Sequence, residues 1–503
     1  MVEQLKPRIP GLVRNWVSLI GLILMALSLA NLLFLFMVDI LGGGENPYIG
    51  VLTYMVLPMV LIGGIVVLIV GILRERARRR QLAPGEIPRH PRLDFNDPRQ
   101  RAIFASTASF GAIFFLMSAV GSYRAYEFTD STQFCGQLCH NVMHPEFTAY
   151  KASPHARVAC VDCHVGAGAS WYVRSKMSGL RQVYAATFNT FPRPIPSPVQ
   201  NLRPAQQTCE QCHWPEKFYG AQLKTIDHFG YDEKNTPRQI KLLIKTGGGS
   251  SAIGKTTGIH WHMNISNEVW YLPTDRQRQT IPYVKIRDQQ GNITEYFAKD
   301  STLKPEDIKK ASLRRMDCID CHNRPTHIYQ PPDKAVDDQL AAGHIDPSLP
   351  FVKKYAVEVL TASYKTTPEA LDQIATQLNS DYRTNHADVY SQKQPAIQQA
   401  ITVVQRIYTT NLFPEMKLDW RVHPNNIGHL YAAGCFRCHD GQHVSKDGRT
   451  VSRDCQSCHV ILGEENGSTL MPQVQSVAFQ HPGGDIDFSA TNCNDCHNGG
   501  VGP

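Results

Sequence analysis

Apolar residues dominate the first quarter of the chain in three long runs. Residues 16–38 are apolar throughout, and residues 50–73 form a second run after a short polar turn. Because about 20 apolar residues cross a bilayer, these runs predict a transmembrane hairpin over residues 16–73. The third run is residues 102–124. Its few polar residues are mostly Ser and Thr, which the interiors of transmembrane helix bundles tolerate. It predicts a third transmembrane helix.

Positive charge is concentrated beside these runs. Residues 1–15 and 74–101 are rich in Lys and Arg, and short basic loops stay in the cytoplasm. We therefore expect a cytoplasmic N-terminus, a basic cytoplasmic loop, and everything after residue 124 outside. The first run continues past Ser28 and Ala30, which favours an uncleaved anchor over a signal peptide.

The same segments account for the net charge of +7. Residues 1–38 and 74–101 carry twelve Lys and Arg against five Asp and Glu, a difference equal to the charge of the whole protein. The exported part is therefore neutral. The basic isoelectric point reflects membrane topology, and we expect no nucleic-acid binding.

Helices and a hairpin are predicted in the exported part. The stretch TIPYVKIRDQQGNITEYFA alternates apolar and polar residues around Gly291, which indicates a β-hairpin. In TTPEALDQ a threonine cap precedes Pro368. The helix that follows is apolar at Leu371, Ile374 and Leu378. A second helix is predicted after Pro395, with one apolar face formed by Ile397, Ile401, Val404 and Tyr408.

All 14 cysteines fall into seven pairs, each followed by histidine. Six pairs have the CxxCH pattern, which is typical of covalent haem c attachment, with two thioethers and the histidine on the iron. These are Cys160 and Cys163 with His164, Cys209 and Cys212 with His213, Cys318 and Cys321 with His322, Cys435 and Cys438 with His439, Cys455 and Cys458 with His459, and Cys493 and Cys496 with His497. The first pair, Cys135 and Cys139 with His140, has one extra residue between its cysteines.

Zinc sites and disulfides explain this pattern less well. Zinc requires Cys and His in groups of four, and a disulfide framework gives no reason for a histidine after every second cysteine. We therefore predict seven covalent haems c. Since bacteria attach haem to cysteine outside the cytoplasm, we expect the haem domains on the periplasmic side of the inner membrane.

The motifs divide the exported part unevenly. Residues 125–330 contain four motifs, residues 331–415 contain none, and residues 416–503 contain three. We expect a tetrahaem domain, a haem-free helical spacer and a trihaem domain. The predicted fold class is mainly α with little regular structure: transmembrane helices plus a multihaem c-type cytochrome domain with a small β insertion.

Four features of residues 102–330 resemble the NapC/NirT family of membrane-anchored quinol dehydrogenases. YKASPHARVACVDCH is similar to the family's second-haem run, GASWYVRSKMSG to its lysine-bearing helix, and CIDCHNRPTH to its fourth haem. The order of anchor and haems is also the same. The whole layout resembles inner-membrane multihaem cytochromes of metal-respiring bacteria. The resemblance implies that electrons pass from menaquinol, in the membrane quinol pool, to periplasmic c-type cytochromes or a reductase.

The first haem departs from the family pattern. Family members have CxxCH followed two residues later by methionine, and that methionine is an iron ligand. Here Met143 lies three residues after His140, so either side chain could be the ligand. A third alternative is that Met143 only packs against the porphyrin.

Low-spin electron-transfer haems also need a second axial ligand. The resemblance implies His155 and His327 in this role. Either His262 or His260, which lie two residues apart in GIHWHMN, could complete the fourth haem, one ring facing the iron and the other pointing away. For the last three haems we favour the histidines of turn-rich segments, His429, His443 and His481. Ordinary surface or packing roles are expected of His423, His228, His344 and His386, and His90 is excluded as cytoplasmic.

The resemblance also implies a quinol site at Lys176. Trp171 and Tyr172 on the same segment suit a membrane interface, so the alternative is that Lys176 only reaches towards lipid headgroups. A proton acceptor is needed as well. The family's carboxylate positions are Gln182 and Val183 here, so we expect Glu146 or His144, beside Met143, to act as the base.

Two rival functions are a catalytic reductase for nitrite, hydroxylamine or a sulfur oxyanion, and an electron-wiring subunit of a larger respiratory complex. A reductase needs an open iron, often marked by a CxxCK motif, and the sequence has none.

Overall fold

The structure is a computed structural model, and it describes most of the chain. The described residues are 11–13, 15–41, 57–81, 95–138, 140–165, 169–199, 202–247, 258–263, 267–466, 479, 481, 484, 486–488 and 491–502. They form helices and small antiparallel sheets, as the sequence predicts. Their contacts divide the chain into a first unit, residues 1–134 with 160–189, and a second unit, residues 135–159 with 190–503.

The first unit begins with two helices long and apolar enough to cross a membrane. These are α1, Trp16–Leu41, and α2, Leu57–Arg80. They pack closely because small residues line the contact: a Cβ on Gly21 would lie 2.6 Å from the backbone nitrogen of Leu68. Ser28 also donates a 2.7 Å hydrogen bond from its Oγ to the Leu57 carbonyl. Such small residues are typical of helix contacts in membranes.

A 33-residue helix, α3, spans Pro98–Asp130 and contains the third predicted transmembrane segment. It begins where the sequence favours a helix start. The side chain of Asp97 accepts a hydrogen bond from the Arg99 backbone, and Pro98 occupies the first turn. The first unit also contains the short helix α5, Cys160–His164, and the helix α6, Ala169–Thr187.

The second unit contains the remaining elements. Its helices are α4 His140–Lys151, α7 Pro305–Lys310, α8 Cys318–Cys321, α9 Pro332–Ala341, α10 Val352–Thr361, α11 Thr367–Asn385, α12 Ala387–Gln392, α13 Gln394–Asn411 and α14 Cys493–Cys496. Its strands are β1 Gln222–Phe229, β2 Pro237–Ile244, β3 Glu268–Leu272, β4 Tyr283–Arg287, β5 Ile293–Ala298, β6 Arg314–Arg315, β7 His443–Ser445 and β8 His459–Asn466.

Helices α9 to α13 surround the largest apolar core. Thr366 caps α11 by accepting a hydrogen bond from the Glu369 backbone, with Pro368 in the first turn, as predicted. Ile374 and Leu378 of α11 are fully buried. The predicted face of α13 is buried at Ile397, Ile401, Val404 and Tyr408. The predicted spacer thus supplies most of this core, which also includes Ala149, Tyr329 and Trp420 from outside it. Each large side chain contributes about 2 kcal/mol by burial.

Two antiparallel sheets join distant parts of the chain. One has the strand order β1-β2-β8 and the other β6-β3-β4-β5-β7. The predicted hairpin is β4 and β5, with Gly291 at a φ of +82° in its turn. Strands β7 and β8 lie after residue 416, yet each pairs with a strand before residue 331. The sheets therefore tie the four-motif segment to the three-motif segment across the spacer.

Candidate functional site

Each described CxxCH motif folds as one tight helical turn. In four motifs the histidine backbone nitrogen donates to the carbonyl of the first cysteine, for example His213 to Cys209 at 2.7 Å and His322 to Cys318 at 2.8 Å. This bond places the first cysteine and the histidine side by side. Acidic or amide side chains such as Asp317 cap several of these turns. Both cysteines and the histidine of a motif therefore lie on one rigid turn, as haem attachment would require.

The second cysteines of the second and third motifs have different surroundings, although the sequence predicts the same role for both. Cys163 is partly buried on α5 in the first unit, whereas Cys212 is exposed and lies in the second unit. Cys212 ends its turn, where its backbone nitrogen donates to the Cys209 carbonyl at 3.1 Å. The sequence alone does not distinguish these two environments, because both cysteines occupy the same place in CxxCH. Haem attachment at Cys163 and at Cys212 stays a prediction.

The longer first motif forms a wider turn. Residues Phe134–Leu138 are a π-helical turn, which accommodates one extra residue per turn. Gly136 packs so tightly that a Cβ there would overlap the ring of Phe147. Cys139 lies outside the described residues, as does the side chain of His140. Met143 is partly buried on α4, so the choice of ligand for this motif stays open.

Five motif histidines face a second histidine from elsewhere in the second unit. Two imidazoles that bind one metal from opposite sides at about 2 Å have ring centroids about 6 Å apart. The observed separations match this value: His155–His213 6.0 Å, His260–His322 6.4 Å, His262–His439 5.8 Å, His429–His459 6.2 Å and His481–His497 6.0 Å. The donor sets therefore fit iron held between two histidines.

Backbone carbonyls orient several of these rings. The Nδ1 atoms of His155, His260 and His262 donate to the carbonyls of Pro325, Thr246 and Ile259 at 3.3, 3.0 and 2.9 Å. His327 makes the same bond to the Glu146 carbonyl at 3.0 Å. A proton on Nδ1 leaves the Nε2 lone pair for a metal, which is the usual arrangement of a ligating histidine. The four rings thus share the tautomer that a ligand requires.

The end of strand β2 positions three of the paired histidines. The Lys245 backbone nitrogen donates to the Cys458 carbonyl, just before His459. The Lys245 and Thr246 carbonyls accept hydrogen bonds from Ile259 and His260. One short segment therefore fixes both the sixth motif and the turn Ile259–Met263, which carries His260 and His262.

A buried carboxylate anchors the fourth motif to the five-stranded sheet. Asp320, inside CIDCH, is 2% exposed. Its Oδ1 accepts hydrogen bonds from the Tyr271 hydroxyl at 2.7 Å, from Arg278 at 2.8 Å and from Arg314 at 2.8 Å. Its Oδ2 accepts from the Asp317 backbone at 2.9 Å. A buried charge is tolerated when paired in this way.

From the third motif to the seventh, cysteines of consecutive motifs lie close together. The Cys209 thiol hydrogen-bonds Cys318, which lowers the pKa of Cys209 to about 6. After burial itself, the Cys435 thiol is the largest cause of the raised pKa of Cys321 and of Cys458. Burial raises the pKa of Cys493, and the Cys455 thiol acts in the same direction. Motifs three to seven therefore follow one another in space in their sequence order.

The histidine pairs bear on His260 and His262, and His443 belongs to none of the five pairs. The sequence leaves His260 and His262 as alternatives for the fourth haem, and in the structure His260 faces His322 whereas His262 faces His439. The sequence signal was present, since side chains two residues apart can point to different sides. His443 is 2% exposed, and both ring nitrogens are occupied, Nδ1 by Asp440 at 2.9 Å and Nε2 by the Ile281 carbonyl at 2.7 Å. His443 therefore fastens β7 to the larger sheet.

The other histidines pack or bond with protein groups. His228 contacts Asp337, His344 contacts Gln339, and the Tyr355 hydroxyl bonds His386. His423 is buried, and this burial lowers its pKa to about 4. His90 lies outside the described residues.

The predicted quinol residues lie on separate helices. Lys176 lies on α6, but its side chain is outside the described residues, as are those of Trp171 and Tyr172. The same helix exposes an apolar stripe at Met177, Leu180, Val183 and Tyr184.

Glu146 and His144 lie on α4 in the second unit. The Glu146 carboxyl is enclosed with Arg324 and Tyr329, and burial raises its pKa. His144 is exposed and packs edge-on against Phe413, with ring centroids 5.5 Å apart. These two side chains therefore face different surroundings: Glu146 is half-buried beside a positive charge, whereas His144 is open to solvent.

Comparisons with known proteins show which cytochromes the chain is similar to. The model of the NapC/NirT cytochrome c family, N-terminal region, matches residues 98–194. The chain is 46% identical over 490 residues to the cytochrome c-type protein ImcH of Geobacter sulfurreducens, which covers 97% of this chain and 96% of that protein. No solved structure matches the chain.

Proposed function

The chain belongs to the NapC/NirT cytochrome c family of electron-transport proteins, and from this we propose that it oxidises menaquinol in the inner membrane and passes the electrons to periplasmic cytochromes or a reductase. The five histidine pairs at 5.8–6.4 Å are the observation that carries the proposal. They supply two ligands each for a succession of low-spin haems, which is the requirement for a conduit of electrons.

Seven haems c are proposed, one for each cysteine pair. The third to seventh have His155, His260, His262, His429 and His481 as their second ligands, and His327 serves a further iron. Met143 or His140 completes the first. When bound, haem iron supplies reversible one-electron transfer, while the protein sets spacing and potential through ligands and burial.

Electron entry is proposed at the membrane side of the first haems. Lys176 binds the quinol oxygen, and Glu146 or His144 accepts a proton. Helices α1 and α2 anchor the chain, with the basic segments 1–15 and 74–101 in the cytoplasm. The exposed stripe of α6 suits an interface between lipid and water. Electrons then leave from the trihaem segment, residues 416–503.

A terminal reductase is less well supported. Its substrate would need an iron with one free position, whereas each of the five paired motif histidines faces a second imidazole. The first two motifs lie outside those pairs. They are close in sequence to the predicted membrane anchor and to the predicted quinol residues.

Reconstitution in liposomes tests the proposal. The purified protein, given a menaquinol analogue and no acceptor, should show reduction of its haems in the absorption spectrum. A protein that only wires a larger complex, or a reductase fed by another donor, would stay oxidised. Intact-mass measurement should show seven haem additions, and six would mean that CGQLCH carries none.

A further inference from the structure

A tripeptide between the fifth and sixth motifs bonds to both of them. This SRD segment is residues 452–454, directly before the sixth motif. The Ser452 carbonyl accepts a hydrogen bond from Nδ1 of His439, the histidine of the fifth motif, at 2.7 Å. The Asp454 carboxyl accepts from the Gln456 backbone at 3.0 Å and so caps the turn of the sixth motif. The first and last residues of the segment therefore hold two successive motifs.

Arg453, the central residue of the SRD segment, adds the seventh motif. Its Nη2 donates to the Thr491 carbonyl at 2.8 Å and to Oδ1 of Asn492 at 3.1 Å. These two residues directly precede α14, the helical turn of the seventh motif. Its Nη1 donates to the carbonyl of Asp440, which follows His439, at 3.4 Å. One guanidinium thus joins the seventh motif to the fifth, beside the cap of the sixth.

The guanidinium of Arg453 also covers an aromatic side chain of the fifth motif. It lies over the Phe436 ring, 5.2 Å from the centroid. Phe436 in turn stacks on His429, with ring centroids 4.3 Å apart and planes 13° apart. His429 is the imidazole that faces His459 of the sixth motif. Arg453 therefore reaches the candidate ligand pair of the sixth motif through one intervening ring.

Arginine suits such a junction because its guanidinium is planar and carries five N–H donors in a fixed geometry. One side chain can therefore hold three acceptors from two separate segments at fixed angles. A lysine has the same charge, but its ammonium is a single point at the end of a flexible stem. It would not hold all three acceptors in the same relation.

Arg437, inside the fifth motif, makes a similar connection towards the fourth. Its Nη2 donates to the Asp320 carbonyl at 2.7 Å and its Nη1 to the Arg278 carbonyl at 2.8 Å, while Nε donates to the Gly434 carbonyl of its own turn at 2.8 Å. Asp320 lies in the fourth motif. Arg437 and the SRD segment thus join the fourth to seventh motifs in their sequence order.

We propose that Arg453 is a positioning residue that fixes the relative arrangement of the last three haems. The proposal rests on the proposed function and deepens it, because electrons can pass through the trihaem segment only if the protein holds its haems in place. The role is geometric. Without the guanidinium, the turns of the fifth and seventh motifs keep their own backbone hydrogen bonds but lose this link between them.

Circular dichroism in the Soret band of the oxidised holoprotein tests the proposal, because the signal of neighbouring haems depends on their mutual orientation. Arg453→Gln should lose part of the parent's signal. Arg453→Lys keeps the charge but lacks the planar donor set, so it should lose as much. Arg449→Gln is the matched control. It removes the same charge from a nearby side chain that is 62% exposed and paired with Asp447, and it should keep the parent spectrum.

Intact mass must show the same haem count in variants and parent. At equal count, parent spectra in both Arg453 variants would overturn the proposal. A parent spectrum in Arg453→Lys alone would also overturn it, because charge rather than geometry would then be responsible. If the Arg453 variants do not accumulate, Asn492→Ala decides. It removes one acceptor of Arg453 and should lose a smaller part of the same signal, and an unchanged spectrum would overturn the proposal.

Failure of the proposed function has a different signature, because the Soret comparison needs no quinol. A parent protein that carries its haems but is not reduced by a menaquinol analogue would refute quinol oxidation and leave the spectral comparison to decide on Arg453. A parent protein without haem would refute both.

Discussion

The hydroxyl of Tyr271 donates a 2.7 Å hydrogen bond to the buried carboxylate of Asp320. Tyr271 belongs to strand β3, and Asp320 lies within the fourth haem motif. The bond thus links the larger sheet directly to a haem turn. Arg278 and Arg314 complete the partners of the same Oδ1 atom, so the turn cannot shift without exposing a charge.

Tyr271→Phe should therefore lower the free energy of unfolding by about 2 kcal/mol, the value of a hydrogen bond to a charged group. Asp320→Asn should cost more, about 3–5 kcal/mol, because two arginines lose their counter-charge. Guanidinium unfolding curves measure both. The control is Tyr219→Phe at an exposed tyrosine. Equal midpoints for Tyr271→Phe and Tyr219→Phe would contradict this account.

His262 and His443 form a matched pair of substitutions. His262→Ala removes a proposed iron ligand, so one haem should become high-spin and give the corresponding electron paramagnetic resonance signal. His443→Ala removes a buried ring bonded to Asp440 and Ile281. It should lower stability but leave every haem low-spin. A high-spin signal in His443→Ala with none in His262→Ala would reverse the assignment.

The buried ring of His423 predicts a dependence of stability on pH. Burial, and next the charge of Arg324, lower its pKa to about 4, whereas an unfolded histidine has a pKa of about 6.5. The unfolded state therefore binds a proton first as pH falls. The free energy of unfolding is therefore unaffected by this group above about pH 6.5 and decreases as the pH falls towards 4. The decrease at pH 5 is about 2 kcal/mol.

His423→Gln removes this titration. Unfolding curves should be measured for parent and variant at pH 7 and at pH 5. The free energy of unfolding should fall less in the variant than in the parent, by about 2 kcal/mol. Parallel losses in both proteins would mean that His423 is not the group responsible.

Lys176→Ala should slow haem reduction by menaquinol analogues, because the proposed donor to the quinol oxygen is lost. Reduction by dithionite, which needs no quinol site, should be unchanged. Arg181→Ala removes an exposed charge from the same helix and serves as the control. If the Lys176→Ala rate equals the parent rate, Lys176 only meets the membrane surface.

The proposed topology has a direct test. A reporter enzyme fused after Arg80 should be active in the cytoplasm, since Arg74 to Arg80 form a basic flank. A reporter at the C-terminus should be active outside. Periplasmic activity of the fusion after Arg80 would refute the predicted orientation.

Local signals decided which helices could be predicted. Helix α11 has Thr366 as a cap and Pro368 in its first turn, and both are visible in the sequence. Helices α9 and α10 were missed because neither has a side-chain cap: α9 follows Pro331, and α10 follows Phe351, which has a φ of +55°. The start of α10 therefore leaves no recognisable pattern of residue types, whereas α9 begins with Pro332, a residue type that favours a helix start.

Candidate ligands divide in a similar way. The motif histidines are predicted from adjacency to cysteine alone, and their role as ligands stays a prediction. The role of His443 depends on the Ile281 carbonyl, which a distant strand supplies, and no local pattern contains that information. The assignment of both His260 and His262 likewise required knowing that His322 and His439 lie on either side of one turn.

The pairing of β2 with β8 sets an order of events during biogenesis. Ile244 pairs with His459, so this sheet cannot close until the chain has been made through the sixth motif. Contacts between such distant residues form slowly. Strand β2 can pair with β1 as a local hairpin, but its other edge stays open until β8 is present. The third, fourth and fifth motifs therefore all precede, in the order of synthesis, the strand that completes this sheet.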